Sequence, residues 1–350
     1  MPTIYDVASK AGVSITTVSR VLNGSGRVSQ KTRERVEQVM QELNYIPSPS
    51  ARSLNLGISR IIALVVPDIS NPFYAEVARG VQDVCDRQGY NVFISSTDGR
   101  GEKERLCIEG VMQQRVDGVC IVRHRVSDDN LRLLVDAEVP TVAIGAAPEG
   151  VPMDNVGIFG TGAALKEIVT TLVRHGRRRL AHIGGPSYTS VGVRRRAQFE
   201  EMVAQFELGD ARALFVESDF TVEGGRIAAS RLLHKDPSPD MIFAANDTMA
   251  IGVLQAAESA GLKVPDDVAV FGCDDIQVAS LLRPSLTTVR LPKYELGQQA
   301  ANVLFDRIAN RDQGLRTVSL EARVVHREST DLESAQSPRR EQPITSVNSR

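Results

Sequence analysis

The sequence predicts an α/β protein in which an N-terminal all-α headpiece precedes a core of two lobes. Two observations predict this fold class. Residues 4–23 form two short amphipathic helical stretches around a turn at Gly12, as in a helix-turn-helix, and from residue 58 onward short apolar runs alternate with amphipathic helices. Repeated alternation of strand and helix predicts parallel sheets covered on both faces. A chain of 350 residues is long enough for two or three domains.

The headpiece is predicted from its turn and its apolar spacing. Gly12 tolerates a tight backbone turn, and the Ser14 hydroxyl can accept a hydrogen bond from a free amide of the second helix. A third helix from Ser29 to Leu43 supplies the face that closes a small helical core. The residues expected to face this core are Ile4, Val7, Ala8, Val18, Val21 and Leu22, and from the third helix Val36, Val39, Met40 and Leu43.

The outward side of the second helix carries short side chains and one arginine, namely Ile15, Thr16, Thr17, Ser19 and Arg20. In a DNA major groove, arginine pairs with guanine edges, while threonine and isoleucine contact thymine methyl groups. The second helix is therefore predicted to bind DNA.

Charge is distributed unevenly along the chain. The first 60 residues carry eight Lys or Arg against four acids, a balance of +4, which leaves −6 for the remainder of a chain whose net charge is −2. A basic head on an acidic body is typical of a protein that contacts phosphates at one end only.

The remaining composition argues against several classes of protein. Cys85, Cys107, Cys120 and Cys273 are scattered without a Cys-x-x-Cys pair, so we expect reduced thiols and neither a metal site nor any other cofactor. The longest apolar run, residues 61–66, is too short to cross a bilayer, and charged residues occur within the first ten positions. We therefore expect no membrane contact and a cytoplasmic, nucleoid-associated protein.

The domain boundaries follow from prolines, glycines and the strand pattern. The headpiece is expected over 1–46, a hinge helix and linker over 47–57, the core over 58–330 and a disordered tail over 331–350. Two Rossmann-like lobes are predicted, the first over about 58–157 and 290–318, the second over about 158–289 and 319–330. The predicted strands lie near residues 61–66, 91–95, 118–122, 141–145, 180–183, 213–216, 241–244 and 268–272, and one helix is expected over 248–260.

Several motifs, occurring in order, resemble those of the LacI family of bacterial transcription repressors over about residues 3–329. The N-terminal motifs are Thr3-Ile4-Tyr5-Asp6-Val7-Ala8, Ala11-Gly12-Val13-Ser14, Thr17-Val18-Ser19-Arg20-Val21-Leu22-Asn23 and Ala51-Arg52-Ser53-Leu54. The later motifs are Val66-Pro67-Asp68-Ile69-Ser70-Asn71-Pro72-Phe73, Arg115-Val116-Asp117-Gly118, Ala245-Asn246-Asp247, Val264-Pro265-Asp266-Asp267-Val268 and Pro284-Ser285-Leu286-Thr287-Thr288-Val289.

The resemblance implies a homodimer whose headpieces bind a palindromic operator and whose periplasmic-binding-protein-like core senses an effector. It implies that Ile15, Thr16 and Arg20 read base edges and that Leu54 is an apolar wedge in the minor groove. The other residues implied at the DNA are Thr3, Ser14, Thr17, Ser19, Asn23 and Ala51. One departure is Ser48-Pro49, where relatives usually have Asn directly after the hinge proline, and we expect hinge docking to differ in strength.

The ligand crevice of an open parallel sheet lies beyond the carboxyl ends of its strands, which makes the residues after each strand candidates. These are Asp68, Arg123, His124, Gly145, Asp219, Phe220, Asn246 and Asp274. The resemblance adds Asn71, Phe73 and Arg195, and favours Phe220 as a ring that stacks on the ligand. Each residue could instead serve a turn or a helix cap, and this alternative is strongest for Asn246 and Asp247.

Departures from sugar-responsive relatives leave two hypotheses for what controls the activity of this protein. Gly145 and Phe159-Gly160 stand where those relatives often place carboxylate or amide side chains, whereas Arg123, His124 and Arg195 add positive charge. In the first hypothesis the effector is a small anion, a sugar acid or a phosphorylated metabolite, held by Arg195 with Arg123 in support. In the second, the pocket is degenerate and a phosphorylated carrier protein regulates the core, as the similarity of residues 283–297 to the catabolite control proteins implies.

An enzyme and a sugar-binding receptor are the other function classes that a two-lobed α/β core allows. The sequence has no phosphate-binding Gly-x-x-x-x-Gly-Lys loop, no nucleophile elbow and no His-Glu-x-x-His motif. The basic headpiece argues against a receptor. The prediction is a repressor without catalytic activity, switched by its effector between two states.

Overall fold

The computed structural model describes residues 2–23, 26–45, 58–125, 128–146, 148–208, 214–235 and 238–332, with the side chain of Asn23 left aside. The predicted hinge over 47–57, including Ala51 and Leu54, lies outside these residues, as does nearly all of the predicted tail. Contacts divide the chain into an N-terminal unit of residues 1–61 with 114–117, and a core of the remaining residues.

The headpiece contains the predicted helix-turn-helix followed by a third helix. Its helices are α1 (Ile4–Ala11), α2 (Ile15–Asn23) and α3 (Gln30–Glu42). Val7, Val18 and Val36 are completely buried where the three helices meet. The Ser29 hydroxyl accepts a hydrogen bond from the Thr32 amide, so Ser29 caps α3 from outside the helix. An ion pair of 2.9 Å between Lys10 and Glu42 joins α1 to α3.

The core alternates strands and helices as predicted. In chain order its strands are β1 (Ile61–Val66), β2 (Asn91–Ser96), β3 (Gly118–Val122), β4 (Thr141–Ile144), β5 (Asp154–Phe159), β6 (Leu180–Gly184), β7 (Phe215–Glu217), β8 (Met241–Ala244), β9 (Ala269–Asp274), β10 (Thr287–Arg290), β11 (Thr317–Glu321) and β12 (Arg323–Val325). Its α-helices are α4 (Pro72–Gln88), α5 (Gly101–Gln113), α6 (Asp129–Asp136), α7 (Thr161–Arg174), α8 (Ser190–Phe206), α9 (Val222–Leu233), α10 (Asp247–Ser259) and α11 (Lys293–Ala309). Short 3₁₀ turns occur at Gln277–Ser280 and Glu328–Thr330.

Each lobe is built on one six-stranded sheet. The first sheet has the order β11-β5-β4-β3-β1-β2 and the second the order β12-β10-β9-β8-β6-β7. The parallel pairs include β1–β3, β3–β4, β4–β5 and β6–β8, whereas β10 and β12 pair antiparallel. Helices cover both faces, and the buried strands are apolar throughout, as in β3 and β8.

The chain crosses between the lobes three times. It leaves the first sheet after β5, returns after β10 to form α11, and crosses again after β11. The sequence placed the first crossing at about residue 157 and the last at about 318, whereas β5 continues to Phe159 and β11 to Glu321 in the first sheet. The strands β5, β10, β11 and β12 were absent from the sequence prediction. Their apolar signal is weak because β5 begins with buried Asp154 and Asn155 and β11 alternates exposed and half-buried residues.

The strand order places a ligand crevice. In each sheet the order reverses between the first and third strands of the lobe, at β1/β3 and at β6/β8, and the loops at the carboxyl ends of these strands face the opposite lobe across a cavity. Among the described residues, no helix is long and apolar enough to cross a membrane.

Candidate functional site

The outward face of α2 presents the residues predicted to read bases. Ile15 is 40% exposed, and Thr16 and Arg20 are also exposed. Thr17 and Ser19 are half-buried. An exposed isoleucine is unusual on the surface of a small domain. Together with the neighbouring threonine and arginine, it matches the side-chain types that contact base edges and methyl groups in a major groove.

Two predicted DNA-binding hydroxyls also hold the headpiece together. Thr3 caps α1 in a reciprocal capping box, because its backbone amide and hydroxyl donate to the Asp6 carboxylate at 2.7 and 2.8 Å. These bonds hold the pKa of Asp6 below its usual range. The Ser14 hydroxyl accepts from the Thr17 amide at 3.2 Å and lies 2.9 Å from the Thr17 hydroxyl, as predicted for a cap. Gly12 has φ of 61°, a left-handed conformation that favours glycine.

The crevice between the two lobes contains a cavity of about 330 Å³. Its size falls in the range of small-molecule sites. The structure places all nine residues predicted to contact an effector in its lining: Asp68, Asn71, Phe73, Arg123, His124, Arg195, Phe220, Asn246 and Asp274. Whether each of them contacts a ligand remains a prediction.

Arg195 occupies the floor of the cavity and is 4% exposed. One of its terminal nitrogens donates to the Asp274 carboxylate at 3.2 Å and to the Cys273 sulfur at 3.0 Å, and the other donates to the Ala245 carbonyl oxygen. Its Nε has no hydrogen-bond partner among the described residues. The charge of the Arg195 guanidinium is therefore largely compensated by groups of the protein itself.

The carboxyl group of Asp274 in this floor interacts with a second buried carboxyl group, Asp247, which is not among the residues that line the cavity. Burial and the neighbouring Asp274 charge raise the pKa of Asp247 to about 7, although Asp247 accepts hydrogen bonds from the Thr288 hydroxyl at 2.5 Å and the Ile276 amide at 2.9 Å. Burial also raises the pKa of Asp274 to about 6, and the Arg195 charge opposes this rise. Near neutral pH the pair therefore holds a proton in part of the molecules.

Asn246 combines the two alternatives considered from the sequence. Its side-chain oxygen accepts from the Met249 amide at 2.9 Å, so it caps α10, and its side-chain nitrogen donates to the Phe220 carbonyl oxygen at 3.3 Å. It is 2% exposed and still lines the cavity. The Phe220 ring lies against Gly185, where a Cβ atom would overlap it. A glycine at position 185 thus leaves room for the ring just beyond the end of β6.

Arg123 and His124 follow β3 and differ in their chemistry. The Arg123 guanidinium forms two hydrogen bonds with the Asp128 carboxylate, at 2.5 and 2.9 Å, so its charge is neutralised within the first lobe. The expectation that Arg123 adds free positive charge to the crevice is therefore corrected. Burial and, to a smaller extent, the Arg125 charge together lower the pKa of His124 to about 4, so this imidazole is neutral near pH 7.

The same loop joins the lobes across the crevice. The Ser190 amide, at the start of α8 in the second lobe, donates to the His124 carbonyl oxygen at 2.8 Å. Arg125 forms an isolated antiparallel bridge with Thr189, and its guanidinium lies 5.5 Å from the centre of the Tyr188 ring. These contacts hold the two lobes together beside the cavity.

Sequence reasoning missed several lining residues. Tyr74, Tyr188, Ser190 and Arg194 all line the cavity. Tyr188, Ser190 and Arg194 lie just beyond Gly185-Pro186, where the sequence analysis singled out only Arg195. Tyr74 follows Phe73 directly, and burial raises its pKa. No group of His, Cys, Asp or Glu in the described part of the chain is arranged to hold a metal ion.

Comparison with known proteins decides the family. Residues 3–48 match the family model described as bacterial regulatory proteins, lacI family, and residues 169–330 match a periplasmic binding protein-like domain. A ribose operon repressor from Halalkalibacterium halodurans is 36% identical over 332 residues, which cover 94% of this chain and 97% of that protein. The chain belongs to the LacI family. The family predicted from the motifs is confirmed, and so is the prediction of a DNA-binding transcriptional regulator.

Other LacI family members match over similar lengths. Catabolite control protein A from Priestia megaterium is 32% identical over 329 residues, 94% of this chain and 99% of that protein. A crystal structure of the lac repressor dimer bound to operator and the anti-inducer ONPF superposes with a TM-score of 0.82 at 28% identity, covering 94% of this chain and 99% of that one. The predicted fold, a helix-turn-helix headpiece with a periplasmic-binding-protein-like core, is thereby confirmed.

The two departures from LacI family sugar sensors have different physical settings. Gly145 lines the cavity and has φ of 115°, a conformation that favours glycine, so an acid at this position would strain the backbone. Phe159, by contrast, is 52% exposed and is not among the residues that line the cavity. The expectation that Phe159 marks an altered crevice is therefore wrong, because the end of β5 turns its side chain away from the pocket.

Proposed function

We propose that this LacI family protein is a transcriptional repressor that binds a palindromic operator as a homodimer and is controlled by a small molecule in the crevice between its lobes. The observation that carries the proposal is the convergence of nine predicted residues from both lobes on one cavity, in a chain that also has a helix-turn-helix. A pocket between two lobes gives a ligand different contacts in open and closed arrangements. A ligand with such differential contacts shifts the equilibrium between them.

The headpiece supplies sequence recognition in this proposal. Ile15, Thr16 and Arg20 read base edges in the major groove, while Thr3, Ser14, Thr17, Ser19 and Asn23 lie near phosphates. Leu54 opens a base step at the operator's centre, as the family resemblance implies. The protein acts by binding, without a catalytic step, in the bacterial cytoplasm where its operator lies.

Operator selection followed by effector titration tests the proposal. Full-length protein is used to select DNA from a random pool, and the enriched sequence is expected to be an inverted repeat. Arg20→Ala is expected to weaken operator binding by about 1–3 kcal/mol and to relax selection at one base position. Leu54→Ala is expected to weaken binding sharply. Arg105→Ala, which removes an exposed ion pair with Glu109 on α5 of the core, is the control and is expected to change operator affinity little.

The main alternative concerns the regulator alone. The second candidate partner is a phosphorylated carrier protein, which the resemblance of residues 283–297 to the catabolite control proteins implies. Under that alternative, no small molecule changes operator affinity, and a phosphorylated protein does so at a surface of the core. Operator binding without any selected inverted repeat would contradict both versions.

A further inference from the structure

Three successive arginines on α8 differ in whether their side chains form ion pairs. Arg195 pairs with Asp274 at 3.2 Å in the cavity floor. Arg196 pairs with Glu200 at 2.9 Å and lies 4.4 Å from the centre of the Phe215 ring. Arg194 lines the cavity, is exposed, and forms neither an ion pair nor a hydrogen bond with the residues that the structure describes. The guanidinium group of Arg194 therefore has no direct ion-pair partner, although the carboxylates of Asp68 and Asp219 line the same cavity.

The surroundings of Arg194 make this charge costly. Partial removal from water lowers the pKa of Arg194, and the like charges of Arg195 and Arg123 lower it further. Asp128 binds Arg123 through both carboxylate oxygens, and Asp274 faces Arg195, so neither acid serves Arg194. An anionic group of a ligand would relieve this repulsion and form a charge-assisted hydrogen bond.

Two carboxylates in the lining provide acceptors of another kind. Asp68 follows β1 in the first lobe, and Asp219 follows β7 in the second. In each, one oxygen accepts from an amide and a hydroxyl two residues ahead: at 2.9 and 2.7 Å from Ser70, and at 3.0 and 2.7 Å from Thr221. The second oxygen of each carboxylate accepts no hydrogen bond from the described residues. Such oxygens are acceptors for hydroxyl donors.

An apolar surface completes the lining. The Phe220 ring lies on Gly185, and Tyr188 and His124 lie on the same cavity, where His124 is neutral. Aromatic rings beside a few polar groups suit the alternating C–H and O–H faces of a sugar ring. The lining therefore combines one cation without an ion-pair partner, two carboxylates that each keep one oxygen free to accept a hydrogen bond, and aromatic surface.

We propose that the effector belongs to the sugar-acid class, with its carboxylate paired to Arg194 and its hydroxyl groups donating to Asp68 and Asp219. This inference rests on the proposed function of the cavity as an effector site. It moves the anion contact from Arg195 and Arg123, which are paired internally, to Arg194. A sugar phosphate shares the combination of hydroxyls and negative charge, but the Asp68 and Asp219 carboxylates in the same lining repel a phosphate dianion more than a singly charged carboxylate.

The test measures ligand affinity of the full-length repressor and of two matched variants. Gluconate, glucuronate and galacturonate, the neutral sugars glucose and galactose, and glucose 6-phosphate are titrated calorimetrically, and each is also scored by thermal shift. At least one sugar acid is expected to bind, with its neutral parent at least about tenfold weaker, equivalent to about 1.4 kcal/mol. Arg194→Gln is expected to weaken the sugar acid about tenfold or more. Arg196→Gln is the control and is expected to bind it as the wild type does.

The outcomes separate this inference from the proposed function. Equal binding of acids and neutral sugars, an unchanged Arg194→Gln, preference for glucose 6-phosphate, or no binding by any member of the panel overturns the sugar-acid inference. Operator binding by the wild-type protein, measured in parallel, tests the proposed repressor separately. Arg194→Gln is expected to melt no lower than the wild type, because it removes a charge that its surroundings disfavour, so its loss of ligand does not come from misfolding.

Discussion

The guanidinium of Arg195 and the carboxylate of Asp274 lie 3.2 Å apart in the cavity floor, with side chains only 5% and 7% exposed. In a buried pair of this kind, the attraction between the charges offsets little more than the free-energy cost of removing both from water. Breaking it is different, because the remaining charge stays buried without compensation. The pair therefore links the cavity to the stability of the second lobe.

Removing one partner tests this dependence. Asp274→Ala is expected to lower the free energy of unfolding of the core by about 3–5 kcal/mol, since it leaves Arg195 without its carboxylate. Urea denaturation of the core measures this. The control is Asp306→Ala, which removes the exposed pair with Arg316 and is expected to cost less than about 1 kcal/mol. Similar costs for both variants would show that burial of the Arg195 pair has no energetic consequence.

The backbone at Gly145 predicts what an acid would do there. Gly145→Asp places the side chain that sugar-responsive relatives often carry on a residue with φ of 115°. A Cβ atom has room, since the nearest atom would be the Arg123 carbonyl oxygen at 3.5 Å. The expected cost is therefore backbone strain of about 1–3 kcal/mol, measured as a lower urea midpoint.

A helical glycine gives the opposite control for that variant. Gly110→Ala lies within α5, where a Cβ atom would meet nothing within 4 Å. It is expected to stabilise the core by about 0.5–1 kcal/mol. If Gly145→Asp were neutral or stabilising, the strained conformation would not explain the missing acid.

The Ser14 cap links headpiece stability to DNA binding. Ser14→Ala removes the acceptor of the Thr17 amide and is expected to cost about 1 kcal/mol of headpiece stability. Because α2 carries the residues proposed to read bases, operator affinity is expected to fall as well. Circular dichroism melting and gel-shift titration measure the two effects. Ser9→Ala, an exposed serine within α1, is the matched control and is expected to leave both unchanged.

The sequence predicted those parts of the molecule that depend on local spacing. The apolar period of α1, α2 and α3, the turn at Gly12 and the buried strands β1, β3 and β8 each have a signal within a few residues. The rule that crevices lie beyond strand ends then placed residues from both lobes on the cavity. None of this required knowledge of distant contacts.

Electrostatic roles in the cavity could not be predicted in the same way. The partner of Arg123 is Asp128, in the loop after β3, and the partner of Arg195 is Asp274, 79 residues away. Sequence alone shows three adjacent arginines and does not show which of them is left unpaired. The orientation of Phe159 likewise depends on the pairing of β5 with β11. The sequence did not predict β11, because its residues alternate between exposed and half-buried positions and form no continuous apolar run.

The buried carboxyl group of Asp247 makes the stability of the folded protein depend on pH. The pKa of Asp247 is raised in the folded state to about 7, so between about pH 4 and 7 the folded state binds more protons than the unfolded chain. Its contribution to stability is therefore fully present at low pH and is lost as pH rises through the folded pKa. Burial lowers the pKa of His124 and His182 to about 4 and 3, and these two groups act in the opposite direction below about pH 6.5.

Asp247→Asn separates these contributions, because it removes one carboxyl group and keeps both histidines. An asparagine can still accept from the Ile276 amide, which bonds Asp247 at 2.9 Å. Relative to wild type, the stability of this variant is expected to rise between pH 5 and pH 8, by a few kcal/mol at most. Urea midpoints of both proteins across this range measure the difference. A difference that stays constant with pH would show that Asp247 is ionised in the folded state throughout, so that the Thr288 and Ile276 hydrogen bonds outweigh its burial.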